Sequence, residues 1–158
     1  MTRISNRNSQ RMSRWLLEDY PSIKEKAKGE NGDIFFVETR RIRNSLKTRK
    51  GVREVIQTAT KSGRTKLYLF AAVSSRGSMR FMISRGKPTP ARFVAFLERL
   101  LQGAHNPVYV IGEGKPYEWH QQVRLFLKST EGRLKLFYLP LYMPDLPLDA
   151  QGFKPHSA

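Results

Sequence analysis

Glu113 is the residue whose type and position best suit it for chemistry. It follows closely on the apolar run Pro107-Val108-Tyr109-Val110-Ile111. A second apolar run, Leu134-Lys135-Leu136-Phe137-Tyr138-Leu139, leads into a proline-rich loop that carries Asp145 and Asp149. An acid at the end of one buried strand, with more acids beyond the next, is how an α/β sheet gathers carboxylates at one rim. The chain around them is strongly basic: 29 Lys and Arg against 13 Asp and Glu, a net charge of +16 and a pI near 10.6. Carboxylates converging in so positive a chain point to divalent-metal chemistry on nucleic acid.

These acids need a sheet to hold them. Asp33-Ile34-Phe35-Phe36-Val37-Glu38 reads as a central strand, apolar through its middle and covered on both faces. Lys66 to Val73 and Met79 to Ser84 read as hairpin partners around the turn Ser74-Ser75-Arg76-Gly77, with Val52 to Thr58 a weaker strand before them. Thr89-Pro90 is a helix start, Phe93, Phe96, Leu97, Leu100 and Leu101 share one face, and Gly103 ends the helix. Pro116 opens another helix, with Trp119, Val123, Phe126 and Leu127 on its apolar side. At the N-terminus, Met12, Trp15 and Leu16 have helical spacing and Pro21 is expected to stop that segment. Ser22-Ile23-Lys24-Glu25 then reads as a capping box for a short second helix toward Gly29. The order predicts one α/β domain, a mixed five-stranded sheet with helices packed on it.

The segment from Arg40 to Arg53 holds Arg40, Arg41, Arg43, Lys47, Arg49, Lys50 and Arg53 and no acid. It reads as a basic loop able to bind phosphates without regard to sequence; a solvated loop is the alternative. Lys115 and Glu118, one helical turn apart, read as a surface ion pair, and Trp119 reads as core. His105, His120 and His156 share no metal-ligand spacing. With no cysteine, disulfides and thiolate metal sites are excluded, and a reducing compartment fits. Met1-Thr2-Arg3-Ile4-Ser5 lacks the apolar centre of a signal peptide, and no apolar run nears the ~20 residues of a membrane span. The expectation is an intracellular protein that binds DNA and no membrane.

Several stretches together resemble the catalytic domain of a DDE transposase, of the bacterial insertion-sequence branch of the mariner-type superfamily. Phe126 to Pro140 followed by Tyr142-Met143-Pro144-Asp145-Leu146 is similar to that family's closing "YLPPYSPDLNPIE" region. Ala71 to Met82 resembles its central hairpin, Phe93 to Gly103 its "FxxFLxxLLxG" helix, and Trp15 to Pro21 the segment before its first catalytic strand. The resemblance spans roughly residues 12–150. It implies a ribonuclease H-like fold, with a helical lead-in over residues 1–30, the domain proper over 31–150 and a tail over 151–158. It also implies Mg²⁺- or Mn²⁺-dependent cleavage and joining of DNA ends, in the bacterial cytoplasm at the nucleoid, with a homodimer or a full-length transposase as partner.

The family holds two divalent cations on three carboxylates, and the resemblance places these at Glu38, Glu113 and, one residue out of register, Asp149. Two of these are Glu where the family has Asp, longer by roughly 1.5 Å, and Mg²⁺ tolerates such a shift poorly. The expectation is therefore a transposase-type domain with a degenerate active site. The alternative is a basic module that binds nucleic acid without chemistry.

Overall fold

The computed structural model describes residues 6–42, 66–114 and 119–140. The elements are α1 (Asn6–Arg14), a π-helical turn (Trp15–Asp19), α2 (Tyr20–Gly29), β1 (Asp33–Ile42), β2 (Leu67–Ser74), β3 (Met79–Arg85), α3 (Pro90–Gln102), β4 (Val108–Gly112), α4 (His120–Ser129) and β5 (Leu134–Tyr138). The strands form one five-stranded sheet in the order β3-β2-β1-β4-β5. β1 pairs antiparallel with β2 and parallel with β4; β2 pairs antiparallel with β3, and β4 parallel with β5. It is the mixed sheet expected from the element order, with helices on both faces.

Alternation along the strands divides the core in two. Phe35, Val37, Phe70, Ala72, Met82, Val108, Val110 and Leu134 face α3 and α4, where Phe93, Phe96, Leu97, Leu100 and Val123 meet them. Ile34, Phe36, Tyr109 and Ile111 point the other way, onto Met12, Trp15, Tyr20, Ile23 and Ala27. Both faces of β1 and β4 are therefore covered, which is why these strands read as continuous apolar runs. The lead-in helix is part of the same packed unit as the sheet.

α3 starts as its sequence predicts. Thr89 is extended and its hydroxyl accepts from the Arg92 amide at 3.2 Å, with Pro90 in the first turn. Thr89→Ala is expected to cost about 1 kcal/mol, the usual worth of such a cap, read as a lower urea midpoint at unchanged slope.

Two expectations are corrected. Pro21 does not stop the first helix, and Ser22 caps nothing. The backbone stays α-helical through Arg14, Asp19 and Tyr20, and the Tyr20 amide donates to the Trp15 carbonyl five residues back. The wide turn absorbs the missing proline N–H and the crowding its ring would cause four residues upstream. Burial favours this path, because it brings Trp15 and Tyr20 into a stack at 5.3 Å, with Tyr20 tilted onto Phe36 at 5.7 Å. The second correction concerns β1, which does not end at Glu38. It pairs with β2 as far as Ile42↔Leu67, so Arg40 and Arg41 are strand residues rather than loop residues. Their charges hid a strand that long-range pairing supports.

A polar clamp fastens the end of α2 to the sheet. The Tyr109 hydroxyl donates to Glu30 Oε2 at 2.6 Å, and Lys135 Nζ donates to Glu30 Oε1 at 3.2 Å and to Tyr109 Oη at 3.3 Å. The Tyr109 and Lys135 hydrogen bonds hold the Glu30 carboxyl below its usual range. Burial, then the Glu30 bond, pushes Tyr109 up; bonds to Tyr109 and Glu30 raise Lys135. The depressed Glu30 contributes stability that is full above the ordinary carboxylate range and lost as pH falls through its lowered value. The raised Tyr109 and Lys135 contribute stability present below pH ~10 and lost as pH climbs through their folded values. Tyr109→Phe is expected to cost only about 1 kcal/mol, since the Lys135 and Glu30 side chains are 37% and 44% exposed and water screens them. In melting curves taken against pH, the gap between this variant and wild type should be flat near neutrality and narrow in acid.

Candidate active site

β1 and β4 run side by side in parallel, with Asp33 opposite Val108 and Val37 opposite Gly112. Glu38 and Glu113 are each one residue past that last pair, so the two carboxylates arise at one rim, from neighbouring backbones that such a sheet spaces about 5 Å apart. The alternation that turns Ile34 and Phe36 toward the α1–α2 side includes Glu38, and Glu113 follows the last residue of β4. β5 closes the rim: Tyr138 stands opposite Gly112, and the Leu139 amide donates to the Gly112 carbonyl at 2.8 Å.

The two acids differ in surroundings. Glu38 is partly covered, its side chain 30% exposed, and its Oε1 lies 3.3 Å from Arg40 Nε. Glu113 is exposed just beyond the strand end and has no ion pair among the described residues. Asp149 lies outside the described residues, as do Arg43, Lys47, Arg49, Lys50 and Arg53, the Lys115–Glu118 pair and the weaker strand expected at 52–58. Arg40 and Arg41 are exposed on β1 within a few residues of Glu38. Trp119 packs on Phe93 with ring centres 6.0 Å apart, the core role its spacing predicted.

Sequence reasoning missed the opposite wall of the rim. A groove of about 360 Å³ runs between α1 and the end of β5, lined by Arg11, Arg14, Trp15, Asp19, Tyr138 and Pro140. Arg11 and Arg14 thus stand on the strand-end side where Glu113 emerges, with Arg14 Nε 3.0 Å from Glu18 Oε2. Their spacing, set against the buried Met12 and Trp15, was the available signal: i and i+3 on the polar side of an amphipathic helix.

Chemically, the rim offers hard oxygen donors. Two carboxylates suit Mg²⁺ or Mn²⁺, with phosphate oxygens and water completing the coordination. Among the described residues no three acids or histidines stand close enough to hold a metal together.

Comparison with known proteins agrees with this fold. The catalytic domain of Mos1 mariner transposase superposes with a TM-score of 0.58 at 15% identity, covering 94% of this chain and 69% of that one. The chain in the Mos1 strand transfer complex superposes at 0.57 with 16% identity, covering 94% and 46%, and that in the Mos1 mariner paired end complex with Mn at 0.57 with 16% identity, covering 92% and 46%. The likeness is one of fold, and this chain spans under half the length of the latter two. No curated protein sequence matches it significantly. The sequence profile of the DDE superfamily endonucleases, however, matches residues 32–152, from the turn before β1 to beyond Asp149, and with that match over most of its length the chain belongs to the DDE endonuclease superfamily.

Proposed function

We propose that this chain is a DNA transposition domain of the DDE type with a reduced metal centre. The observation that carries the reading is the Val37↔Gly112 register, which delivers Glu38 and Glu113 to one rim of adjacent parallel strands. A divalent ion bound there would polarise a phosphodiester and stabilise its leaving oxygen. The chain's own contribution is to place the charges. Glu38 and Glu113 face the ion, Asp149 is the third ligand, and Arg40, Arg41, Arg11 and Arg14 neutralise phosphates on either side. Because Glu carries its carboxylate a methylene farther than Asp, Mn²⁺ serves better than the strictly octahedral Mg²⁺. DNA is the partner, with a second copy or a longer transposase completing the assembly, in the bacterial cytoplasm at the nucleoid.

One observation favours a second reading, a DNA-binding module without chemistry: Glu38 already has a cation, Arg40, at 3.3 Å. Nicking of supercoiled plasmid separates the two. The transposition reading expects nicking in Mn²⁺, less in Mg²⁺, and none in EDTA. Salt-sensitive DNA binding with no nicking in either metal would establish the module instead.

A further inference from the structure

We propose that Phe81 is a stacking platform for an unpaired nucleotide, on the sheet face that carries Glu38; the idea deepens the DNA reading above and rests on it. Ala71 on β2 pairs with Glu38 on one side and with Phe81 on the other. The three therefore lie on one line across the sheet, and at ~4.8 Å per strand Phe81 stands roughly 10 Å from Glu38. Only the methyl of Ala71 lies between them. Phe70 and Met82, the neighbours of Ala71 and Phe81 along their strands, belong to the core under α3 and α4. Phe81 and Ala71 thus face the opposite side, shared with Phe36 and Glu38. Phe81 is 48% exposed and belongs to neither core cluster; Met79 beside it is 49% exposed.

The next lines on the same face supply the charge. Ile83 pairs with Leu69, and Leu69 with Arg40; Arg85 pairs with Leu67, and Leu67 with Ile42. Arg40 and Arg85 are both exposed and stand on the Phe81 face. From Val55 to Leu97 the chain has eight Lys and Arg and no Asp or Glu. A half-exposed aromatic among cations, with no acid nearby in sequence, suits one occupant better than others: a polynucleotide strand, whose base offers a flat π-face to Phe81 and whose phosphates meet Arg40 and Arg85. The nucleotide must be unpaired, because bases inside a duplex have their faces covered by their neighbours. The platform's position, two strands from Glu38, makes it a holder for a base splayed out beside the phosphate at the carboxylate rim.

The test uses the full chain without metal, a labelled 12-nucleotide single strand, and a blunt duplex of the same sequence, followed by fluorescence anisotropy. Phe81→Ala is expected to weaken single-strand binding about tenfold and duplex binding less than twofold, while Phe81→Trp restores the loss. Arg85→Ala should lower the slope of log affinity against log salt on the single strand by about 0.7. Equal losses on both probes, or none on either, would overturn the platform while leaving the DNA reading standing. A Phe81-dependent dimer in sedimentation, with unchanged single-strand affinity, would assign the face to a second copy and also overturn it. Wild-type chain that binds neither probe at low salt would sink the DNA reading itself, and the platform with it.

Discussion

Glu113→Gln is expected to reduce Mn²⁺-dependent nicking by more than about 100-fold, a loss of roughly 2.7 kcal/mol of transition-state stabilisation, while DNA affinity stays within about twofold. The substitution keeps the side chain's size and removes its charge, so what it deletes is the ligand. Glu113 is exposed and has no ion pair among the described residues, so folding should change by less than about 0.5 kcal/mol. Glu38→Gln should abolish nicking to the same degree but differ in binding. It releases Arg40, now 3.3 Å from the carboxylate, to meet a phosphate, so DNA should bind more tightly. Glu98→Gln, on the exposed side of α3 against the opposite sheet face, is the control and should nick as wild type does. Wild-type nicking by Glu113→Gln would rule out the paired-glutamate centre; equal binding by both rim variants would show that the Glu38–Arg40 pair does not gate phosphate contact.

Glu113 was legible because the end of β4 shows in sequence. The Val108–Ile111 run stops at Gly112, and the next side chain with any chemistry is Glu113. The hairpin was legible from its turn: the Ser74 hydroxyl accepts from the Ser78 amide at 2.9 Å, and Gly77 takes a φ of 89°. These are local rules acting on local residues. What escaped depended on contacts across the chain. The π-helical turn contradicts both Pro21 and the Ser22–Glu25 capping signal, and wins because Trp15 and Tyr20 gain a stacked, buried site over Phe36. Arg40 and Arg41 look like loop residues until β2 offers them a ladder. The face that Phe81 occupies depends on the register of two strand pairs, and no window of neighbouring residues contains that information. The same holds for Arg11 and Arg14, which share a groove with Tyr138 and Pro140 at the end of β5.

Phe70 and Phe81 sit on neighbouring strands of one sheet, and their replacement by Ala should separate the sheet's two functions. Phe70 is fully buried, packs on Phe96 with ring centres 5.6 Å apart, and belongs to the core that holds α3 and α4 to the strands. Its removal deletes a buried aromatic from a close-packed layer and leaves a cavity that α3 can only partly fill. The expected cost is about 3–5 kcal/mol, a large share of the roughly 5–15 kcal/mol that keeps a domain folded. Phe81 points to the other face and is half-exposed, so Phe81→Ala should cost about 1 kcal/mol or less. Urea titration of both variants reads the difference directly: a much lower midpoint for Phe70→Ala, a nearly unchanged one for Phe81→Ala, and equal slopes if both still unfold in one step. The contrast then carries over to DNA. At temperatures where Phe70→Ala is still folded, its single-strand affinity should equal that of wild type, while Phe81→Ala, stable throughout, should have lost most of it. If Phe81→Ala instead unfolds as early as Phe70→Ala, then the Phe81 ring is a structural support, and the face beside Glu38 is a second core layer rather than a place for a base.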